Sequence, residues 1–301
     1  MTTFADLMVR VRQQLMGYAK DQSAIAELAV SMAGGDVTFT VSPDTVTSIS
    51  SGLVEIDEEL LLVKSFDRTS GQVTLLGGLN GRGAEGTTPA AHAVQALVTA
   101  DPRFPKMRIK EAINDTIRAL SPGLVAFGST DIVNSSVVYE YGMPAEATDA
   151  WVVSDQTVGP TQVWMQGTRW KFITKAPTSA FPTGKSIQLF DAITPGRTMH
   201  VVYTKDPSPL VNLADEWVAT TGLPERCADL PIWGACARLL PSYEAARLQQ
   251  SSIESTERAP LVPPRAAAQA AQYFQMMFDK RLAEERAAMF EQVPQTQYYG
   301  S

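Results

Sequence analysis

The spacing of apolar residues changes several times along the chain, and this constrains the fold more than any other feature. Apolar residues recur at three- and four-residue steps over residues 3–30, which is typical of an amphipathic helix. From residue 36 to about residue 100 they alternate with polar residues, as they do in strands. Helical spacing returns at 101–121, alternation at about 130–205, and helical spacing again from about 223 onward.

This order predicts an α+β protein with a helical core, made of an N-terminal, a central and two C-terminal helices. Two antiparallel β modules interrupt the core, and the six short strands expected in the second make it sandwich-like. The expected segments are an N-terminal helix (1–35), a small β module (36–100), a central helix and connection (101–129), an antiparallel β domain (130–222), C-terminal helices (223–290) and an extended tail (291–301).

Two glycine patterns suggest phosphate binding but lack the required context. Gly81, Gly83 and Gly86 match G-x-G-x-x-G, yet only about seven residues separate Gly86 from the next β segment. A crossover helix needs a dozen residues or more, so we interpret the loop as a bend between strands. The run at 182–186, PTGKS, has Ser179 where a phosphate loop needs its first glycine, and we expect a hairpin turn there. No cofactor is expected.

A cluster of acidic residues lies at the turn of a predicted hairpin, VEIDEELLLV. The cluster consists of Glu55, Asp57, Glu58 and Glu59. A solvated hairpin tip is one interpretation, and acids that face a channel lumen or contact Ca²⁺ are another. A third is the carboxylate pair of a hydrolase, acting from Glu55 or Asp57.

Metal and thiol chemistry have few candidates. His92 and His200 have no companion at H-x-H or H-x-x-x-H spacing, so no zinc site is expected. Cys227 and Cys236 lie nine residues apart in an apolar stretch, and we expect them to be buried free thiols.

The charge balance argues against a broad nucleic-acid surface. The chain has 25 Lys and Arg against 32 Asp and Glu, a net charge of −7. Such a chain has no electrostatic reason to grip DNA, although an acidic wall could let DNA pass without holding it. No run of 18 apolar residues exists, so no membrane span is expected.

Aromatic residues form two groups. Trp151, Trp164, Trp170 and Phe172 lie on predicted strands, where sheet core is the favoured interpretation and a sugar-binding platform the alternative. Tyr298 and Tyr299 stand in a polar tail, and because disordered ends usually avoid aromatics, docking onto another chain is a second hypothesis for them.

Two parts of the chain together resemble known virion proteins. The stretches VEIDEELLLV and LNGRGAEGTTPAAHAVQALV resemble a motif of tailed-phage proteins, with Asp-Glu-Leu on a strand followed by Arg-Gly, Gly-Thr and Ala-His. The helical stretches DPRFPKMRIKEAINDTIRALSP, CADLPIWGACARLLPSYEAARLQ and RLAEERAAMF resemble the head-to-tail adaptor, or connector, proteins of long-tailed phages. The likeness covers most of the chain at the level of segment order.

The resemblance implies a structural virion protein without enzymatic activity, assembled in the bacterial cytoplasm and located in the neck between capsid and tail. It implies a ring of this chain, a dodecamer, below the portal protein, with a neck or stopper protein on the tail side. Double-stranded DNA would pass through the lumen without specific binding. Portal docking is assigned to the tail, with Val293, Gln295, Gln297, Tyr298 and Tyr299 as its residues.

Two alternatives remain open. The chain could be another tail or baseplate protein that binds host cell-wall glycan through its tryptophan-rich sheet, which predicts an exposed Trp164 or Trp170. It could also be a carboxylate-dependent hydrolase, which predicts loss of activity on Glu55→Ala with the fold intact.

Overall fold

A computed structural model of the chain describes residues 1–16, 25–42, 49, 51–135, 138–156, 163–166, 168–191, 194–248 and 266–291, with the side chains of 25, 243–248, 290 and 291 left out. The helices in this part are α1 (Phe4–Met16), α2 (Lys106–Leu120), α3 (Trp217–Thr221), α4 (Leu230–Leu248) and α5 (Ala266–Glu291). The strands are β1 (Ile25–Glu27), β2 (Thr38–Thr40), β3 (Gly52–Ile56), β4 (Glu59–Asp67), β5 (Gln72–Leu75), β6 (Leu97–Ala100), β7 (Ala126–Val133), β8 (Glu140–Gly142), β9 (Ala147–Gln156), β10 (Trp164–Gln166), β11 (Trp170–Ile173), β12 (Ser186–Leu189) and β13 (Thr198–Lys205). Helices combined with antiparallel sheets confirm the α+β class.

The first β module is a six-stranded antiparallel sheet with the order β1-β6-β3-β4-β5-β2. Its two edges meet, since the amide of Ala29 donates to the Thr40 carbonyl (2.9 Å) and that of Ser42 to the Glu27 carbonyl (2.8 Å). The sheet therefore closes into a small barrel, which leaves no long unpaired edge. Its interior is filled by inward-facing residues such as Leu28, Val41, Ile56, Leu61 and Val73.

The second β module has two antiparallel sheets, one of order β10-β9-β13-β7 and one of order β11-β12-β8. One apolar cluster joins them. It includes Val153 of β9, Ile187 and Leu189 of β12, and Val201 of β13, with Trp170 and Phe172 of β11 packed against it. Alternating residues of β13 are buried, as expected for a strand with one face in a core. The expectation of a sandwich-like module is confirmed.

The helices follow the predicted apolar stripes. On α1, Phe4, Leu7 and Val11 are fully buried, and on α2 the same is true of Ile113 and Ile117. Residues three or four apart share one face of a helix, so each stripe forms a continuous buried seam.

The predicted N-terminal helix over 3–30, within segment 1–35, is too long. Helix α1 ends at Met16, residues 17–24 lie outside the described part, and Ile25–Glu27 form strand β1. Ala26 and Leu28 are buried in the barrel at a spacing of two, which a helix cannot place on one face. The sequence pattern did not indicate the change from helix to strand, because apolar residues are frequent both before and after it.

The chain divides into two compact units. One comprises residues 5–115 and 231–278 and contains the barrel. The other comprises residues 1–4, 116–230 and 279–301 and contains the sandwich.

Candidate functional site

The turn between β3 and β4 positions the four acids of the predicted hairpin tip. Strand β3 ends at Ile56 and β4 begins at Glu59, with Asp57 in the turn at a positive φ of 54°. Glu55 and Glu59 are almost fully buried, with 3% and 1% of their surface exposed. The interpretation of a solvated hairpin tip is therefore wrong for these two acids, because the turn folds under the glycine loop and beside α2.

Glu59 lies at the centre of a buried ion cluster. Its Oε1 accepts hydrogen bonds from Arg82 Nε (2.7 Å) and the Gly83 amide (3.0 Å). Its Oε2 accepts from Arg82 Nη2 (2.8 Å) and the Ala90 amide (2.9 Å), and His92 Nε2 lies 3.0 Å away. Burial alone would raise the pKa of Glu59, but the Arg82 guanidinium, the two amides and His92 lower it to about 2.

Arg82 uses its full donor capacity inside the barrel unit. Besides the two bonds to Glu59, Nη1 donates to the carbonyls of Ala33 (2.8 Å) and Asp36 (3.0 Å), and Nη2 to that of Ala90 (2.5 Å). A guanidinium has five N–H groups, and these five contacts account for all of them. The side chain thus ties the segment before β2 and the glycine loop to strand β4.

His92 completes the cluster from the end of the glycine loop. Its Nδ1 lies 2.8 Å from Asp57 Oδ2, so the ring bridges Asp57 and Glu59. The ring is 1% exposed, whereas the Asp57 side chain is 57% exposed. The backbone of His92 also exchanges two hydrogen bonds with Met32. The absence of a second histidine nearby in sequence made His92 look isolated, although its partners are carboxylates.

The glycine loop is a bend between strands, as predicted. It contains two 3-10 turns, Gly78–Gly81 and Ala84–Gly86, and no crossover helix. Gly83 has a φ of 59°, and a Cβ there would lie 2.6 Å from the Thr87 carbonyl oxygen. Thr87 Oγ1 accepts from the Leu60 amide (3.0 Å) and donates to the Ala84 carbonyl (2.9 Å). Side-chain and backbone contacts together therefore fasten this loop to β4.

The other two acids of the turn hold helix α2. Glu55 Oε1 accepts from the Lys106 amide (2.6 Å), an otherwise unpaired donor of the first helical turn. Burial raises the pKa of Glu55, which the Lys106 amide and ammonium partly offset. Glu58 Oε2 pairs with Lys110 Nζ at 3.0 Å. Asp57 and Glu59 thus bind the loop, whereas Glu55 and Glu58 bind the helix.

The cluster is built for support, and Glu59 at its centre has little capacity for proton transfer. A general base works best with a pKa near the working pH, and Glu59, with a pKa of about 2, is a weak one. Both oxygens of Glu59 already accept hydrogen bonds from groups of the same chain. The described residues contain no group of three or more His, Cys, Asp or Glu that could hold a metal ion.

The aromatic residues of the sandwich divide between core and surface. Trp170 and Phe172 pack against the core cluster, which confirms the core interpretation for them. Trp164 is 45% exposed, and its ring lies 5.8 Å from that of His200, so the core interpretation is wrong for Trp164. Strand β10 has all three residues exposed, which places Trp164 at the edge of the larger sheet.

The two cysteines are buried free thiols, as predicted. Burial raises the pKa of each to about 12, and for Cys227 the carboxylate of Glu285 contributes. Glu285 is the centre of a second ion cluster that sequence reasoning missed. It accepts from Arg226 Nε (2.7 Å) and pairs with Arg281 Nη2 (2.6 Å). The i, i+4 spacing of Arg281 and Glu285 on α5 was the available signal.

The residues expected to dock on a portal, Val293, Gln295, Gln297, Tyr298 and Tyr299, lie outside the described residues. Among the helices that are described, none combines the length and apolar composition that a membrane crossing requires. No protein-family model matches the sequence, and a search of curated proteins found no match.

Proposed function

We propose that this chain is a structural virion protein, the head-to-tail adaptor of a tailed phage. It would form a ring below the portal, a dodecamer, that connects the capsid to the tail-side neck protein and surrounds the passing DNA. The proposal starts from the segment order and motifs of the sequence. The structure adds one observation that favours a structural protein over a carboxylate hydrolase.

That observation concerns the partners of the four acids at the β3–β4 turn. Asp57 and Glu59 bind His92 and Arg82, while Glu55 and Glu58 bind the first turns of α2. The residues that carry the resemblance, Asp-Glu-Leu, Arg-Gly, Gly-Thr and Ala-His, therefore contact one another where the β3–β4 turn meets the glycine loop. A motif used in this way specifies a rigid module, which suits a protein that must hold its shape under the pressure of packaged DNA.

The charge of the chain supports the same proposal. A net charge of −7 suits the wall of a channel, because phosphates then pass without strong Lys or Arg contacts.

Portal binding gives a direct biochemical test. Purified portal rings are mixed with the full chain and with a version ending at residue 291, and the masses of the complexes are measured by native mass spectrometry. The proposal predicts about one chain per portal subunit for the full chain and weak binding for the shortened one. The double variant Tyr298→Ala and Tyr299→Ala should fall between them. Failure of the full chain to bind any portal of its own phage would contradict the proposal.

One observation favours the second candidate, a tail protein that binds host cell-wall glycan. Trp164 is exposed beside His200, and an exposed aromatic face next to polar groups suits the stacking of a sugar ring. Binding to purified cell wall should then be lost in Trp164→Ala and retained in the control Val163→Ala, which is also exposed. Equal binding by the two variants would dismiss this candidate.

A further inference from the structure

A cavity of about 460 Å³ lies in the unit that contains the barrel, beside the start of α2 and the middle of α4. It is lined by side chains other than those of the buried ion cluster. Its charged lining residues are three arginines, Arg103, Arg108 and Arg238, and two acids, Glu111 and Asp115. Three positive and two negative side chains leave this lining with a net charge of +1, in a chain whose net charge is −7.

Two of these arginines have no carboxylate partner within the part of the chain that the structure describes. Arg238 Nη2 lies 3.5 Å from the Asp115 carbonyl oxygen, a long contact with a neutral acceptor. Arg103 forms no hydrogen bond or ion pair there. Arg108, by contrast, is paired with Glu85 (3.4 Å) and Glu111 (3.2 Å). Arg103 and Arg238 are thus the arginines of this cavity that could pair with the carboxylate of a ligand.

The wall of the cavity is apolar between these charges. Phe104 and Pro105 are half-buried, while Ala112 and Leu239 are buried. A ligand that matches this wall carries an anionic group on an apolar body. Guanidinium groups match the geometry of a carboxylate with paired N–H donors, which favours a carboxylate ligand.

We propose that this cavity is a docking site for a partner protein, which inserts an acidic side chain next to an apolar one. Arg103 and Arg238 bind the carboxylate, and the apolar neighbour packs on Phe104 and Leu239. The DNA backbone is the less suitable ligand because its phosphates carry no apolar group that could cover this wall. The proposal goes beyond the adaptor function and does not depend on it.

A minimal probe tests the site in the full-length chain. N-acetyl-aspartyl-phenylalanine amide is titrated into ¹⁵N-labelled protein, and the signals of the arginine Nε–H groups and of the Leu239 amide are followed. The asparaginyl analogue is the control ligand. The control protein is Arg10→Gln, because Arg10 is an exposed arginine of α1 in the same unit.

We expect the aspartyl probe to shift the signals of Arg103, Arg238 and Leu239 together. Binding should weaken about tenfold or more for the asparaginyl analogue and for the double variant Arg103→Gln and Arg238→Gln, since the loss of even one charge-assisted hydrogen bond costs about that much. Arg10→Gln should bind as the unmodified protein does. The proposal is overturned if these signals do not move, or if a DNA duplex or inorganic phosphate shifts them at lower concentration than the peptide does.

Discussion

Glu59 and Arg82 form a buried ion pair inside the barrel unit. The loop around them supplies the remaining hydrogen-bond donors and acceptors. Neither side chain is more than 5% exposed, and both are charged. A buried ion pair of this kind adds little stability compared with an apolar pair of the same shape. Removing one partner alone is costly, because the other charge stays buried without compensation.

Substitution of Arg82 tests this directly. Arg82→Met should lower the free energy of unfolding by about 3–5 kcal/mol, since Glu59 then loses its cation. The control is Arg68→Met, which changes an exposed arginine of the same module and should cost no more than about 0.5 kcal/mol. Denaturant unfolding of the three proteins measures the difference. Equal losses for the two variants would show that the cluster does not support the barrel.

The pH dependence of unfolding in acid gives a second test of the role of Glu59. The pKa of Glu59 is lowered from 4.5 to about 2 on folding, so its contribution is complete above pH 4.5 and is lost as the pH falls toward 2. The stability difference between the unmodified protein and Glu59→Gln should therefore shrink over this window. Unfolding by urea at a series of pH values measures it. A difference that stays constant between pH 5 and pH 2.5 would contradict the assignment.

The sequence alone identifies the acids of this cluster but leaves their partners unassigned. Glu59 is 23 residues from Arg82 and 33 from His92, and the periodicity of apolar residues says nothing about pairings over such distances. The resemblance groups Arg-Gly and Ala-His with the acids in one motif, but it does not say which of these residues are in contact. The approach of these residues depends on barrel closure and on the left-handed turn at Gly83.

Among the secondary-structure elements, the alternation of apolar residues predicted several strands correctly, whereas the helical spacing did not predict the end of the first helix. Strands β3, β4 and β13 lie where alternation predicts them. The helical spacing predicted over 3–30 fails at residues 25–28 because the barrel core takes up Ala26 and Leu28, a tertiary demand that overrides local spacing. The predicted stretch DIVNSSVVYEY likewise contains parts of two strands, β7 and β8, which belong to different sheets.

A glycine in β7 provides a prediction for the sandwich. Gly128 pairs with Tyr203 of β13, and a Cβ at Gly128 would lie 2.6 Å from the tyrosine ring. The ring cannot move away easily, because Tyr203 is buried and its hydroxyl donates to Glu146 at 2.6 Å. Gly128→Ala should therefore lower the free energy of unfolding by about 1–3 kcal/mol.

The matched control is Gly142→Ala in β8. A Cβ there would meet only Phe181 at 3.6 Å, an ordinary contact distance. This change should leave stability within about 0.5 kcal/mol of the unmodified protein. Thermal unfolding followed by circular dichroism compares the two variants, and equal melting temperatures for both would refute the packing of Tyr203 against β7.

At the scale of the whole molecule, the chain combines a closed barrel, a sandwich and a set of amphipathic helices. Barrel closure leaves no long free strand edge in the first module, which limits uncontrolled strand pairing between chains. If the chain lines a DNA channel as proposed, its acidic net charge lets the phosphates pass without strong contacts. These properties agree with the adaptor proposal, whose central claim concerns the place of the chain in a particle.

Cryo-electron microscopy of the neck of the phage particle is the most direct measurement of that claim. If the chain is the adaptor, the map will show a ring of it directly below the portal, a dodecamer, with residues 292–301 on the portal surface. The barrel and the sandwich should both be recognisable in each copy. Density for the chain at the tail tip, or its absence from the particle, would rule out the adaptor function.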